Sequence, residues 1–151
     1  MNRASVLTAL AFIVALAACA TAPAPVLVVQ PDLELTGYWA IEATLEGSSL
    51  LLSRPLDGVY PTRFSSSGCL GSEVRQVTAR FVSGYLTLSE PVLEYSGRTL
   101  HRLALYESRG TLFLVPEPNV PDIQFESARR GSQAAAEALE SFAYRRLSAI
   151  P

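Results

Sequence analysis

The chain is 151 residues long, 49% hydrophobic and 17% charged, with 12 basic and 14 acidic residues. This length fits one domain, the apolar content excludes a disordered polyelectrolyte, and the slight acidic excess excludes the basic surface that nucleic-acid binding requires. All 12 basic residues are Arg and there is one His, so lysine chemistry is excluded and the catalytic inventory is small.

Residues 6–16 form an apolar run broken by Thr8, preceded by Arg3 and followed by small residues. A membrane-spanning helix needs about 20 apolar residues, so this shorter run with a positive flank reads as a secretory signal. It ends in Leu16-Ala17-Ala18-Cys19. That tetrad resembles the lipobox of bacterial lipoproteins. The resemblance covers only the leader. It implies a signal peptide over 1–18, cleavage after Ala18, a diacylglycerol on the Cys19 sulfur and acylation of the new amino terminus. One chain binds a bilayer marginally whereas two or more anchor it. Ala20 stands where such lipoproteins carry Asp when they stay on the inner membrane, so the implied location is the outer membrane, facing the periplasm. An ordinary secretory peptide cut near Ala15-Leu16-Ala17 is the alternative. The mildly acidic body has no attraction for anionic headgroups, so membrane contact would rest on the lipid.

Residues 19–31 carry Pro23, Pro25 and Pro31 among alanines and valines. Extended polyproline geometry at about 3.1 Å per residue would let the twelve residues 20–31 span ~35 Å as a tether. The apolar end, 26–29, is expected to pack on the body, with an edge strand as the alternative. From 33 to 45 the odd positions are Leu33, Leu35, Gly37, Trp39, Ile41, Ala43 and Leu45, and the even ones are mostly polar. Period two predicts a strand, bent at Gly37. Gly58, Gly71, Gly84, Gly97 and Gly110 follow at intervals of thirteen, which predicts successive hairpins. Between them lie β-rich runs at 74–82, 85–88, 92–95, 99–106 and 112–115, with Pro91 marking an edge, a bulge or a corner.

Seven or eight short antiparallel strands in a meander must close up or expose sticky edges, so 32–126 is expected to form a small barrel or tightly rolled sheet. Gly37-Tyr38-Trp39 resembles the Gly-x-Trp start of calycin-type barrels, which include lipocalins and a periplasmic metalloprotease-inhibitor family. The resemblance covers three residues and implies a calycin-like barrel. No later lipocalin motif follows, and the disulfide usual in that inhibitor family is missing because Cys69 has no partner. Residues 116–122, with three prolines, read as a rigid loop. In the C-terminal segment, 127–151, a helix is expected over about 132–141 with Ser132 as N-cap and Ala135, Leu139, Phe142 and Ala143 on one face. Residues 142–147 could extend it or form a closing strand.

Candidate chemistry is sparse. Cys69 sits in a serine-rich, turn-like segment, 65–72, and His101 shares strand parity with Leu103 and Leu105, which predicts a core-facing imidazole. A Cys–His pair lacks an identifiable third residue. A serine hydrolase would need His101 with Asp32, Asp57, Asp122 or a Glu, and no Gly-x-Ser-x-Gly occurs. One His and one further Cys make no soft-ligand zinc set, and no metal or cofactor is assigned. Arg129-Arg130 and Arg145-Arg146 could grip phosphates or carboxylates, or simply solubilise the surface. Tyr38 and Trp39 could line a ligand cavity or plug the barrel floor, since eight strands leave room for side chains or one small ligand. The sequence therefore predicts a mainly β, lipid-anchored and non-catalytic module that binds a protein or envelope component, an inhibitor-like role being one version. The alternatives are a carrier of a small apolar ligand and, third, a lipidated hydrolase using His101.

Overall fold

The computed structural model describes residues 23–29, 34–41, 47–68, 71–94 and 96–147. Cys19, Asp32 and Cys69 lie outside the described residues. The elements run β1 (Val26–Leu27), β2 (Gly37–Ala40), β3 (Gly47–Leu52), β4 (Val59–Gly68), β5 (Gly71–Val82), β6 (Tyr85–Leu93), β7 (Thr99–Ser108) and β8 (Thr111–Pro116). A 3₁₀ turn (Glu117–Asn119), α1 (Val120–Arg130), α2 (Ser132–Phe142) and β9 (Tyr144–Leu147) complete the chain. From β2 to β8 every strand pairs antiparallel with the next, and β9 pairs with both β8 and β2. The result is a closed eight-stranded antiparallel barrel. Closure pairs the first and last strands of the meander, which would otherwise be its two free edges.

The thirteen-residue glycine spacing is the hairpin rhythm of this wall. At the β5–β6 connection Ser83 and Gly84 both have positive φ, 51° and 88°. Two such residues make the turn whose twist matches that of the flanking strands. Gly84 has a second constraint: a Cβ there would lie 3.2 Å from the Val28 carbonyl and 3.3 Å from a Val29 methyl. The approach is close because the N-terminal segment crosses this turn. Val26 and Leu27 pair with Glu107 and Tyr106 of β7, and the Val28 N–H reaches the Leu105 carbonyl at 2.8 Å. Leu27 and Val28 pack on the barrel, so the apolar end of the proline-rich segment is both packed and, over two residues, a strand.

Alternation sorts the side chains. Tyr60, Thr62, Phe64 and Ser66 of β4 are buried, while Pro61, Arg63 and Ser67 face water. The interior holds Trp39, Leu50, Leu52, Phe64, Leu86, Leu88, Leu103, Leu105, Leu114 and Tyr144, each no more than 1% exposed. Trp39 also donates its indole N–H to the Leu35 carbonyl at 3.0 Å, which fixes the ring and satisfies its one polar atom. A second cluster lies outside the wall, where α1 and α2 cover β7 and β8. It contains Ala104, Tyr106, Phe113, Val115, Val120, Ile123, Leu139 and Ala143.

Three details differ from the sequence expectation. The proline-rich stretch after β8 is not a loop: Pro118 and Pro121 occupy first-turn positions of a 3₁₀ turn and of α1, where a missing N–H is tolerated. Ser132 is the first residue of α2 rather than its cap, because Gly131, at φ 90°, breaks the two helices apart. The serines at 65–67 belong to β4, in register with Ser49, Ser48 and Gly47. Trp39→Ala should cost about 3–5 kcal/mol of stability, the usual penalty for emptying a large core site. Urea unfolding followed by far-UV circular dichroism measures it, and an unchanged midpoint would contradict the packing described.

Candidate functional site

The two ends of the barrel differ in chemistry. At the end carrying the β6–β7 turn, Ser48, Glu94 and Asn119 are buried polar side chains. Glu94, just past β6, is 4% exposed and accepts the Tyr144 hydroxyl at 2.6 Å. Its other oxygen accepts the Ser96 hydroxyl at 3.4 Å and lies 3.6 Å from Arg98 Nε. Arg98 reaches on to Asn119 Oδ1 at 2.8 Å, and Ser48 hydrogen-bonds with the Tyr144 hydroxyl. The chain of contacts from Ser48 through Tyr144, Glu94 and Arg98 to Asn119 therefore joins β3, β9, the β6–β7 turn and the 3₁₀ turn. A buried carboxyl group is costly unless its lone pairs are used, and here both oxygens are used. The arrangement is a polar lock between elements distant in sequence. Burial, then the facing Glu94, pushes the Tyr144 hydroxyl well above the usual tyrosine range.

At the other end Arg146 bridges from β9 to the segment before β2. It donates to the Thr36 carbonyl at 2.5 Å and the Glu34 carbonyl at 3.4 Å. Gly37 lies beneath it with φ 142°, and a Cβ there would meet Arg146 Nε at 3.1 Å. The Gly-x-Trp triplet thus has a local reason: the glycine admits the guanidinium and the tryptophan fills the core next to it. Tyr38, between them, sits on the outward register of β2, half-buried and opposite Leu51 and Leu147. Structure therefore separates Tyr38 and Trp39, which the sequence considered together.

His101 is exposed, contrary to the parity argument. The β6–β7 register shifts between Thr87 and Val92, and both Leu100 and Leu103 turn inward, leaving His101 and Arg102 outside. Asp57 lies in the β3–β4 turn at the opposite end of the barrel, and Asp122 on α1. None of the described contacts joins His101 to a carboxylate. No group of three His, Cys, Asp or Glu suited to a metal occurs among the described residues. Of the arginine doublets, Arg130 pairs with Glu126 at 3.4 Å and Arg129 stacks over the Phe125 ring at 5.5 Å. Phe125 is 54% exposed at an open groove of about 510 Å³ between α1 and α2, whose rim includes Asp122, Glu126, Arg130 and Glu137. Arg102, by contrast, lies 3.9 Å over the Tyr85 ring and 2.9 Å from Glu117, holding the 3₁₀ turn against the wall.

Glu94 and Tyr144 were not singled out by sequence. The available signal was Glu94 on the same parity as buried Val92, an acid inside an apolar run. The raised Tyr144 pKa has a definite sign in stability. Above about pH 10 the unfolded chain gives up this proton and the folded one keeps it, so stability falls as pH rises. Tyr144→Phe should remove close to one proton from that alkaline slope, read from unfolding free energies between pH 9 and 11, and an unaltered slope would contradict the assignment. Comparison with known protein families, curated proteins and solved structures finds no match to this chain, so its function is to be read from these residues.

Proposed function

We propose that the protein is a lipid-anchored, non-catalytic β-barrel module that binds a protein or another component of the bacterial envelope through its outer surface. The observation that carries this reading is the set of large side chains turned into the barrel. Trp39, Phe64, Tyr144 and a set of leucines, all at or near zero exposure, occupy the space in which a calycin-like carrier would hold an apolar ligand. Large side chains turned into a barrel of eight strands compete with a ligand for the same space, which favours recognition on the outside. His101 is exposed and contacts no carboxylate among the described residues, so the hydrolase reading draws no support from them.

The anchor half of the proposal rests on the resemblance of Leu16-Ala17-Ala18-Cys19 to a lipobox, with residues 19–31 as tether and the outer membrane, on its periplasmic side, as location. No helix among the described residues is long and apolar enough to cross a membrane. Attachment through acyl chains on Cys19 needs none.

Two measurements test the halves separately. Radioactive palmitate should label the wild-type chain and not Cys19→Ser, and the variant should leave the membrane fraction; equal sedimentation of both would overturn the anchor. Native mass spectrometry of the purified protein should show no co-purifying small apolar molecule beyond the covalent lipid. A stoichiometric apolar passenger would replace the surface-binding reading with the carrier.

A further inference from the structure

β5 is the longest strand of the barrel, yet β6 pairs with it only from Val82 back to Ala79. Extending that register sets Thr78 against Ser89 and Gln76 against Pro91. Val82, Arg80 and Thr78 turn their backbone groups towards β6, and the Thr78 N–H is taken by the Ser89 hydroxyl at 3.1 Å. Gln76 is the next residue with this orientation. Pro91 has no N–H to give it, so the ladder stops and β6 shifts register before Val92. Residues 71–77 of β5 remain paired with β4 on one side and with no described strand on the other. Residues 71–76 are exposed, Val74 by 51%. Glu90 and Pro91 blunt the β6 side of this gap, whereas the β5 side carries no proline.

We propose that this open lip of β5 pairs with the same lip of a second copy of the chain, antiparallel about a two-fold axis through Val74. Backbone parity permits it: Ser72, Val74 and Gln76 point their N–H and C=O groups away from β4. In this register Val74 faces Val74 and Ser72 faces Gln76, in hydrogen-bonded pairs that yield six backbone bonds. Charge selects it. Glu73 falls opposite Arg75 of the second copy, and Arg75 opposite its Glu73, so the ion pair now formed within one strand at 2.5 Å becomes a four-charge cluster across the seam. Pairing over seven residues supports a weak, reversible dimer rather than an obligate one. The inference rests on the wall of the barrel and is independent of the anchor and of the binding role proposed above.

Sedimentation velocity of the detergent-purified full chain over a concentration series should show a monomer–dimer equilibrium. Val74→Pro, which removes an outward-facing N–H and no hydrogen bond to β4, should leave monomer. Glu73→Arg or Arg75→Glu alone should weaken the dimer about tenfold or more, from like charges directly opposed, and the charge-swapped double variant should restore it. In a Cys69→Ser background, Val74→Cys should form an intermolecular disulfide on oxidation, since Cα atoms in such a pair lie about 5.5 Å apart. Far-UV circular dichroism identical to wild type establishes that each variant is folded. A chain monomeric at every concentration, a dimer indifferent to Val74→Pro, a double variant as weak as the singles, or a strand of another protein cross-linked at position 74 would each overturn the proposal.

Discussion

The molecule depends on a four-residue strand. β9 joins β2 to β8, setting Leu147, Arg146 and Arg145 against Tyr38, Trp39 and Ala40, and Arg145 and Tyr144 against Phe113 and Leu114. Without it the meander is an open sheet with two unpaired edges and an uncovered apolar face. Closure also brings two side chains of β9 to the two ends of the interior. Tyr144 enters the buried polar network with Glu94 and Ser48, and Arg146 bonds the carbonyls that precede Gly37. The strand that finishes the wall therefore also supplies a hydrogen-bonding side chain at each end of it.

This explains the position of the helices. The chain leaves β8 and must return to the gap between β8 and β2 in the antiparallel sense. The excursion through α1 and α2 accomplishes the return and covers the outer side chains of β7 and β8, Ala104, Tyr106, Phe113 and Val115. Two layers result, a filled barrel and a helical flap on one flank, each burying what the other would leave exposed. Asn119 and Glu117, at the start of the excursion, are held by Arg98 and Arg102, so the flap is fixed to the wall by charged hydrogen bonds as well as by packing.

The wall itself has irregularities. The principal one is caused by a single residue: Pro91 falls where a β6 N–H is required, and the β5–β6 ladder ends there. Barrels usually leave no backbone edge for another chain to use. Here one lip of the interruption, residues 71–77 of β5, has no described strand along its outer side, and its charged side chains complement themselves on inversion.

How much of this was legible in the sequence follows from the range of each interaction. Strand character at Gly37 to Ala40, the hairpin glycines, a helix over about 132–141 and a closed barrel follow from periodicity and turn chemistry, because alternation and positive φ are properties of a few adjacent residues. Prolines mislead more easily: those at 118 and 121 begin helical turns, and only the hydrogen bonds that follow distinguish a helix start from a rigid loop. His101 faces out because the bulge opposite it in β6 breaks the parity on which an inward prediction depends, and that bulge lies in another strand. The join between β9 and β2, the Glu94–Tyr144–Ser48 network and the Arg146 bridge over Gly37 were decided only by tertiary structure. Their partners are 50 to 112 residues apart where hydrogen bonds are recorded, and no local pattern says which distant strands become neighbours.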